Sequence, residues 1–190
     1  MRKNVLLFAV FMMSSSLIFS QAFDKSVHGI NVGIGLGNTG YIGAGYSGFI
    51  PSISASYEYG IVTIPMGSEL TGVVSAGGFL GWSTAKYAWS HWNDVHYVYT
   101  TFIFGARGNY HFIFHDKLDT YAGVWLGYRL VNGNWTGSGQ TPSDWSAHAS
   151  SVSGGAYVGA RWLFTDSFGV WAELGYLVSI MNFGVAFIIK

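Results

Sequence analysis

The sequence predicts an all-β protein: an eight-stranded antiparallel up-and-down transmembrane β-barrel after a cleaved signal peptide. The 190-residue chain is 50% apolar and 9% charged, whereas soluble domains carry about 25% charged residues. Beyond the N-terminus, no apolar run reaches the length of about 18 residues that marks a spanning helix. Apolar residues instead alternate with small or polar ones. Because only helices and closed barrels satisfy every backbone hydrogen bond in lipid, a closed barrel is predicted.

The N-terminal segment has the features of an export signal. Two basic residues precede an apolar stretch over residues 5–18. Small residues follow at Ser20 and Ala22, a pattern typical of a signal-peptidase cut after the second of them. We therefore expect residues 1–22 to be a signal peptide and residues 23–190 to form the barrel domain.

The first four predicted strands differ in composition but share a period of two. Residues 29–36 alternate Ile and Val with Asn and Gly. Residues 52–62 alternate Ile, Ala and Tyr with Ser and Glu. Residues 70–83 place Leu, Val and Trp on one side, and residues 98–112 set Phe and Tyr against Gly, Arg and Asn.

The second half of the chain repeats the pattern in four more segments. Residues 119–130 set Ala, Val, Leu and Tyr against Asp, Gly and Arg. Residues 151–163 set Val, Ala and Trp against Ser, Gly and Arg. Residues 169–177 oppose Val, Ala and Leu to Glu and Gly, and residues 180–189 oppose Met, Phe and Val to Asn and Gly.

The predicted connections alternate between long and short. Long outer loops and short inner turns are the usual asymmetry of outer-membrane barrels. The predicted outer connections are residues 37–51, 86–96 and 131–149 with a very short one near Val178, and the predicted inner turns are residues 63–69, 113–118 and 164–168.

Charge placement determines which face looks inward. The charged residues within the strands all fall on the Gly- and Ser-rich face, whereas a soluble barrel would show the reverse. One Arg facing lipid near mid-bilayer costs roughly 2–4 kcal/mol. We therefore predict that this face lines the lumen and that Arg161 and Glu173 pair across a tight turn. The charged strand residues are Glu58, Arg107, Asp119, Arg129, Arg161 and Glu173, and the predicted lumen charge network is Glu58, Arg107, Arg129, Arg161 and Glu173.

Short motifs in the C-terminal half resemble those of a known group of proteins. They are Leu118-Asp119-Thr120-Tyr121-Ala122-Gly123-Val124-Trp125-Leu126-Gly127-Tyr128, then Gly159-Ala160-Arg161, then Ala172-Glu173-Leu174-Gly175-Tyr176. Over roughly residues 100–190 the chain is similar to small outer-membrane β-barrel proteins, porin-like and of the OmpA, OmpX and OmpW type. The resemblance implies an eight-stranded barrel. The chain ends in Lys190, where many such barrels end in an aromatic residue, although Phe187 is close by.

The predicted outer connections are rich in tryptophan. Such rings could contact a partner, a glycan or lipopolysaccharide headgroups. Outer-membrane lipids, lipopolysaccharide and the barrel-assembly machinery are therefore the expected partners, and the extracellular ligand stays open. Basic and acidic residues balance at 9 each, which gives no basic surface for nucleic acid. The predicted loop contact residues are Trp89, Trp92, Trp135 and Trp145.

Three functions remain open, and the first is preferred: a structural or surface-interaction role through the outer loops. A narrow pore is the second, because the lumen face has glycines at positions 33, 105, 123 and 159, although large rings share that face. A lipid-modifying enzyme is the third, but no carboxylate is placed to orient His148 beside Ser150. His91, Asp94 and His96 are spaced too loosely to assign a metal. We expect no enzyme activity, no cofactor, no metal and no catalytic residue.

Overall fold

The alternating segments form antiparallel strands, each hydrogen-bonded to the next, in a computed structural model of the protein. The structure describes residues 22–39, 46–47, 51–66, 70–88, 96–136 and 147–190. The strands are β1 His28–Asn38, β2 Tyr46–Ser47, β3 Ser52–Met66, β4 Leu70–Ala88, β5 His96–His115, β6 Leu118–Thr136, β7 Ala147–Leu163, β8 Phe168–Gly175 and β9 Ser179–Ile189.

The sheet closes on itself. β1 pairs with β3 on one side and with β9 on the other, and β4 pairs with β5. The eight strands β1 and β3–β9 therefore form an up-and-down ring, and the short β2 adds to β4 where Tyr46 faces Tyr87. This confirms the predicted fold class. Closure removes the unpaired edges that an open sheet would expose.

The two faces of the barrel have the predicted character. Outward positions expose large apolar side chains, among them Val152 at 70%, Leu126 at 65% and Val124 at 63%. The six charged strand residues of the predicted inner face are each at most 8% exposed. In the described part of the chain, no helix has the length and apolarity to cross a membrane.

Several strands are longer than the alternation predicts. β6 runs to Thr136 and β7 begins at Ala147, so the predicted loop 131–149 is strand at both ends. β4 and β5 likewise extend to Ala88 and from His96. The prediction fails there because both faces become polar and the period-two signal fades, while backbone pairing continues.

The walls of the barrel differ in height. β4–β7 contain 17 to 20 residues each, β8 contains 8, and β1 and β9 contain 11. We call β4–β7 the tall wall and β8, β9 and β1 the short wall. β7 pairs with β8 only from Tyr157 to Leu163, although its pairing with β6 reaches Ala147. The extra segment, residues 147–156, adds roughly 30 Å of strand at about 3.3 Å per residue.

The end that carries the short turns, called the turn end, is closed by the N-terminal segment. Residues 23–27, named the turn-end plug, bury Phe23 and Val27 against the strands. Backbone hydrogen bonds hold it: the Ser26 amide donates to the Gly60 carbonyl at 2.8 Å, and Gly60 donates to Val27 at 2.9 Å. The plug therefore packs as part of the barrel.

The opposite end, called the loop end, is narrowed by the β8–β9 connection. Instead of pointing away from the barrel, Leu177 and Val178 turn inward and are 3% and 2% exposed. They pack with Phe79, Ile103 and Trp125 in one apolar cluster. The predicted very short connection is therefore present, and it fills the lumen.

Candidate functional site

A ring of alternating charges lies in the lumen near the turn end. Arg161 contacts Asp119 through Nη1 at 2.8 Å and Glu58 through Nη2. His111 closes the ring, with Nδ1 2.8 Å from Asp119 Oδ1 and Nε2 3.3 Å from Glu58 Oε2. Each carboxylate thus lies between Arg161 and His111. Burial without such pairing would be very costly for any of these groups.

A second ion pair lies beside the ring. Arg107 Nη2 is 2.5 Å from Glu173 Oε1, and the Tyr121 hydroxyl donates to the same oxygen at 2.8 Å. The predicted pair between Arg161 and Glu173 is therefore wrong. Across β7 and β8, Glu173 lies opposite Gly159 and Arg161 lies opposite Trp171. The two charged residues are offset along the strands. Arg161 pairs with Asp119, directly opposite on β6, and with Glu58 across the lumen, whereas Glu173 pairs with Arg107 across the lumen.

Together the ring and the pair form what we call the charge cluster: Glu58, Arg107, His111, Asp119, Arg161 and Glu173. Four of the five predicted network residues belong to it. Arg129 does not, because it is ten positions beyond Asp119 on β6 and so lies toward the loop end. Its Nη2 instead donates to Thr39 Oγ1 at 3.4 Å.

Uncharged groups complete the hydrogen bonding of the cluster. Asn109 Nδ2 donates to Glu58 Oε2 at 2.5 Å, and the Tyr157 hydroxyl donates to Asn109 Oδ1. Arg161 Nε donates to Asn31 Oδ1 at 3.2 Å. Phe23 of the turn-end plug stacks on His111 with ring centroids 4.2 Å apart. The cluster is therefore enclosed by strands on its sides and by an aromatic ring at the turn end.

Ser75, His111 and Asp119 lie in a row that superficially matches a nucleophile relay. Ser75 Oγ is 2.9 Å from His111 Nε2, and it donates to Glu58 Oε2 at 3.0 Å. A serine has one hydroxyl hydrogen, so His111 must donate to Ser75 through Nε2. Its Nδ1 faces a carboxylate, which only accepts, so both ring nitrogens carry hydrogen. Such a cationic ring cannot remove a proton from Ser75, as a catalytic base must.

This hydrogen bonding also balances the charge of the cluster. Three carboxylates, from Glu58, Asp119 and Glu173, meet two guanidinium groups and the cationic His111. Formal charges then sum to zero in an interior where an excess charge is strongly disfavoured. The arrangement fits a rigid element that ties five strands together across the lumen.

The lumen glycines do not leave an open channel. A Cβ atom at Gly123 would lie 2.5 Å from the Tyr157 ring, and one at Gly159 would lie 2.6 Å from the Tyr121 ring. Each glycine is thus a recess occupied by a tyrosine. The large side chains Tyr121, Trp125, Tyr157 and Trp171 are all at most 4% exposed. Small barrels are commonly filled by side chains in this way.

A small internal cavity lies between the charge cluster and the inward-turned connection. Ser54, Arg107 and Asn182 are among its lining residues. Each has a buried polar atom without a partner in the described part of the chain: Ser54 Oγ, Arg107 Nε and Asn182 Oδ1. Because these groups include donors and an acceptor, we expect an internal water molecule there.

Several residues of the site were not singled out from the sequence. Asn109 and His111 fall on the predicted inner face, so a signal for them existed in the alternation. Ser75, between the outward Val74 and Ala76, had the same signal, whereas Phe23 precedes the first strand and had none. Of the predicted loop contacts, Trp89, Trp92 and Trp145 lie outside the described residues. Trp135 lies in β6 opposite Tyr97, but the structure does not describe its side chain.

The remaining catalytic and metal-binding candidates form no site within the described part of the chain. His148 and Ser150 belong to β7 rather than to a loop. His91 and Asp94 are outside the described residues. Where the structure describes side chains, no three His, Asp or Glu residues are grouped to hold a metal ion.

Comparison with known proteins gives only distant similarities. No family model and no curated protein matches the chain. A crystal structure of Ail, the attachment invasion locus protein of Yersinia pestis, has 12% identity and a TM-score of 0.44 over 86% of this chain and 95% of that one. Ail in complex with the heparin analogue sucrose octasulfate gives 11% identity and a TM-score of 0.46 over the same shares. The fold assignment rests on the strand pairing itself.

Because Glu173 pairs with Arg107, the substitution Glu173→Gln should have opposite effects on stability in two different arginine variants. Arg107→Met leaves Glu173 unpaired and is expected to cost about 3–5 kcal/mol of unfolding free energy. Adding Glu173→Gln removes that charge and should recover most of the loss. In an Arg161→Met variant, Glu173→Gln should instead increase the loss of unfolding free energy, because it leaves Arg107 without its carboxylate partner. Urea unfolding in lipid vesicles measures all four variants, and recovery in the Arg161→Met background would contradict the pairing.

Proposed function

We propose that this protein is a sealed outer-membrane β-barrel that presents its tall wall and outer loops for surface interaction. Residues 1–22 are then a signal peptide, and residues 23–190 form the barrel after export. The observation that carries the proposal is the unequal height of the walls. A purely structural filler of the membrane has no need of four strands that continue past their neighbours.

The outer surface of the lower barrel supports a lipid environment. Large apolar side chains cover every strand there, including Phe104 at 45%, Val158 at 56% and Leu174 at 50% exposure. A water-facing surface of this size and composition would aggregate. In a bilayer, the same side chains contact acyl chains without a free-energy cost, and the backbone N–H and C=O groups are hydrogen-bonded within the closed ring.

The upper part of the tall wall has a different outer surface. Beyond the apolar belt, the exposed outward positions become Lys86, Asn132, Asn134 and Ser150. No Asp or Glu occurs in the strand residues 83–88, 96–101, 131–136 or 147–151. Hydrogen-bonding groups with one cation suit contact with the saccharides and phosphates of lipopolysaccharide. This polar outer surface supports lipopolysaccharide as a lateral partner.

The filled interior supports a barrel that does not conduct. The turn-end plug, the charge cluster and the inward-turned Leu177 and Val178 succeed one another along the lumen. The narrow-pore alternative relied on lumen glycines, and tyrosine rings occupy two of these recesses. The enzyme alternative gains no support from Ser75, whose neighbour His111 is already a donor on both nitrogens.

The lipid-facing belt predicts a depth-dependent cost for a charge. Val124→Arg, in the centre of the belt, should lose roughly 2–4 kcal/mol of unfolding free energy. Asn134→Arg, on the upper tall wall, should lose about 0–1 kcal/mol. The two variants add the same group to outward positions of one strand. Urea titration in phosphatidylcholine vesicles measures both, and equal losses would argue against the placement in the membrane.

The sealed lumen predicts electrical silence. Purified full-length mature protein, inserted into a planar bilayer under applied voltage, should give no sustained single-channel steps. The physical reason is that side chains occupy the space through which ions would move. Reproducible steps of one size would instead favour the narrow pore.

The upper part of the tall wall can be removed without changing the register of what remains. Ser83 pairs with Thr101, and Leu130 pairs with Ser150. Replacing residues 84–100 and 131–149 each by Asn-Gly, a favoured two-residue hairpin turn, gives a barrel that lacks the polar strand ends 84–88, 96–100, 131–136 and 147–149. Cells of a Gram-negative host that display this variant should lose retention on arrays of glycans and extracellular proteins.

The parent chain is the control for that experiment. Both proteins should show the heat-dependent gel mobility of a folded barrel, so that a loss of retention reports on the wall. Unchanged retention by the shortened barrel would remove the surface-interaction role of the tall wall.

A further inference from the structure

Arg129 is a buried cation that lies apart from the charge cluster. The residue is 8% exposed, although guanidinium groups are almost never buried without an anion. Its direct strand neighbours are Ile103 on β5 and Ser151 on β7, and neither carries a carboxylate. Within the described residues, every salt-bridged carboxylate of the lumen contacts Arg107, His111 or Arg161 instead.

The contacts that Arg129 does make are weak. Its Nη2 donates to Thr39 Oγ1 at 3.4 Å, which is long for such a bond. Its guanidinium carbon is 5.9 Å from the Tyr176 ring centroid, at the outer limit of a cation–π contact. A guanidinium has five N–H donors in a planar fork. Most of that donor capacity is therefore unused among the described residues.

A second polar group on the same inner face also lacks a partner. Thr101 lies on β5 two residues from Ile103, hence diagonal to Arg129 across the strand pair. Its Oγ1 is buried and has no hydrogen-bond partner in the described part of the chain. Both groups lie toward the loop end, and Arg129 reaches Thr39 just after β1.

We propose that Arg129 and Thr101, beside Thr39 and Tyr176, form a binding site for an oxyanion at the loop-end mouth of the barrel. Thr39 holds the guanidinium rather than the anion, because its own hydroxyl hydrogen is donated to the Leu177 carbonyl at 2.7 Å. The ligand group is a phosphate, sulfate or carboxylate, because two oxygens of such a group match the guanidinium fork. The hydroxyl of Thr101 supplies a further donor. The site goes beyond the proposed surface role, since Arg129 and Thr101 are lumen residues that remain when the tall wall is shortened.

The test uses the refolded mature chain in uncharged maltoside micelles, titrated with sodium sulfate or sodium phosphate at constant ionic strength. Backbone amide resonances of Thr39 and Tyr176 report on binding by NMR. We expect a saturable shift with either oxyanion and none with sodium chloride. Absence of a saturable shift in the parent chain would overturn the proposal.

Variants identify the residue responsible. Arg129→Gln should abolish the saturable shift, and Arg129→Lys should weaken binding several-fold because the charge remains while the fork is lost. Lys117→Gln removes an exposed cation at the turn end, remote from the site, and should leave the titration unchanged. An unaltered shift in Arg129→Gln would overturn the proposal, and heat-dependent gel mobility shows which variants fold.

Two further arms separate the sources of the anion. If added lipopolysaccharide moves the same resonances, the ligand is a lipid headgroup. If only soluble anions move them, the ligand is soluble, and both outcomes support the site.

Asp94 and Asp144 are the carboxylates of the connections between β4 and β5 and between β6 and β7. If sulfate or phosphate binds only to an Asp94→Asn/Asp144→Asn variant, the proposal is overturned. That result would mean that a carboxylate of the chain itself pairs with Arg129 in the parent protein.

Discussion

The interior of this barrel depends on the requirement that the charges buried together near the turn end neutralise one another. Arg161 meets this requirement by lying between Glu58 and Asp119, with His111 on their far side. The ring joins strands that are distant in sequence, since Glu58 and Arg161 are 103 residues apart. Removing one member would leave its neighbours charged and buried, so the cluster constrains how the whole sheet closes.

The same cluster explains why the barrel is sealed rather than open. Its charges pair with one another, and Phe23 stacks on His111, so side chains fill the lumen at this level. Tyr121 and Tyr157 contact Glu173 and Asn109, and their rings occupy the recesses at Gly159 and Gly123. The stability of the interior and its filling by side chains therefore have one cause. The proposed functions lie at the loop end, where the tall wall rises and Arg129 has no carboxylate partner among the described residues.

The sequence predicted most of the residues of the charge cluster correctly, but it predicted the wrong ion pair. Alternation assigns Glu58 and Arg107 to the inner face, because a residue's side of the sheet depends only on its position within its own strand. Pairing depends on depth in the lumen, which follows from strand tilt and stagger around the whole ring. For this reason the sequence pointed to Arg161 with Glu173, two neighbours across a turn, whereas Glu173 meets Arg107 across the lumen.

The sequence alone determined the eight strands of the ring, the facing of each strand and the exclusion of charge from the apolar belt, because these follow from local period-two patterns. Tertiary structure alone decided the unequal walls, the plug around Phe23, the inward turn of Val178 and the isolation of Arg129. These features depend on contacts between residues far apart in the chain, which no local pattern encodes. Polar strand ends such as those of β6 also carry no alternation, so only hydrogen bonding to a neighbouring strand reveals their extent.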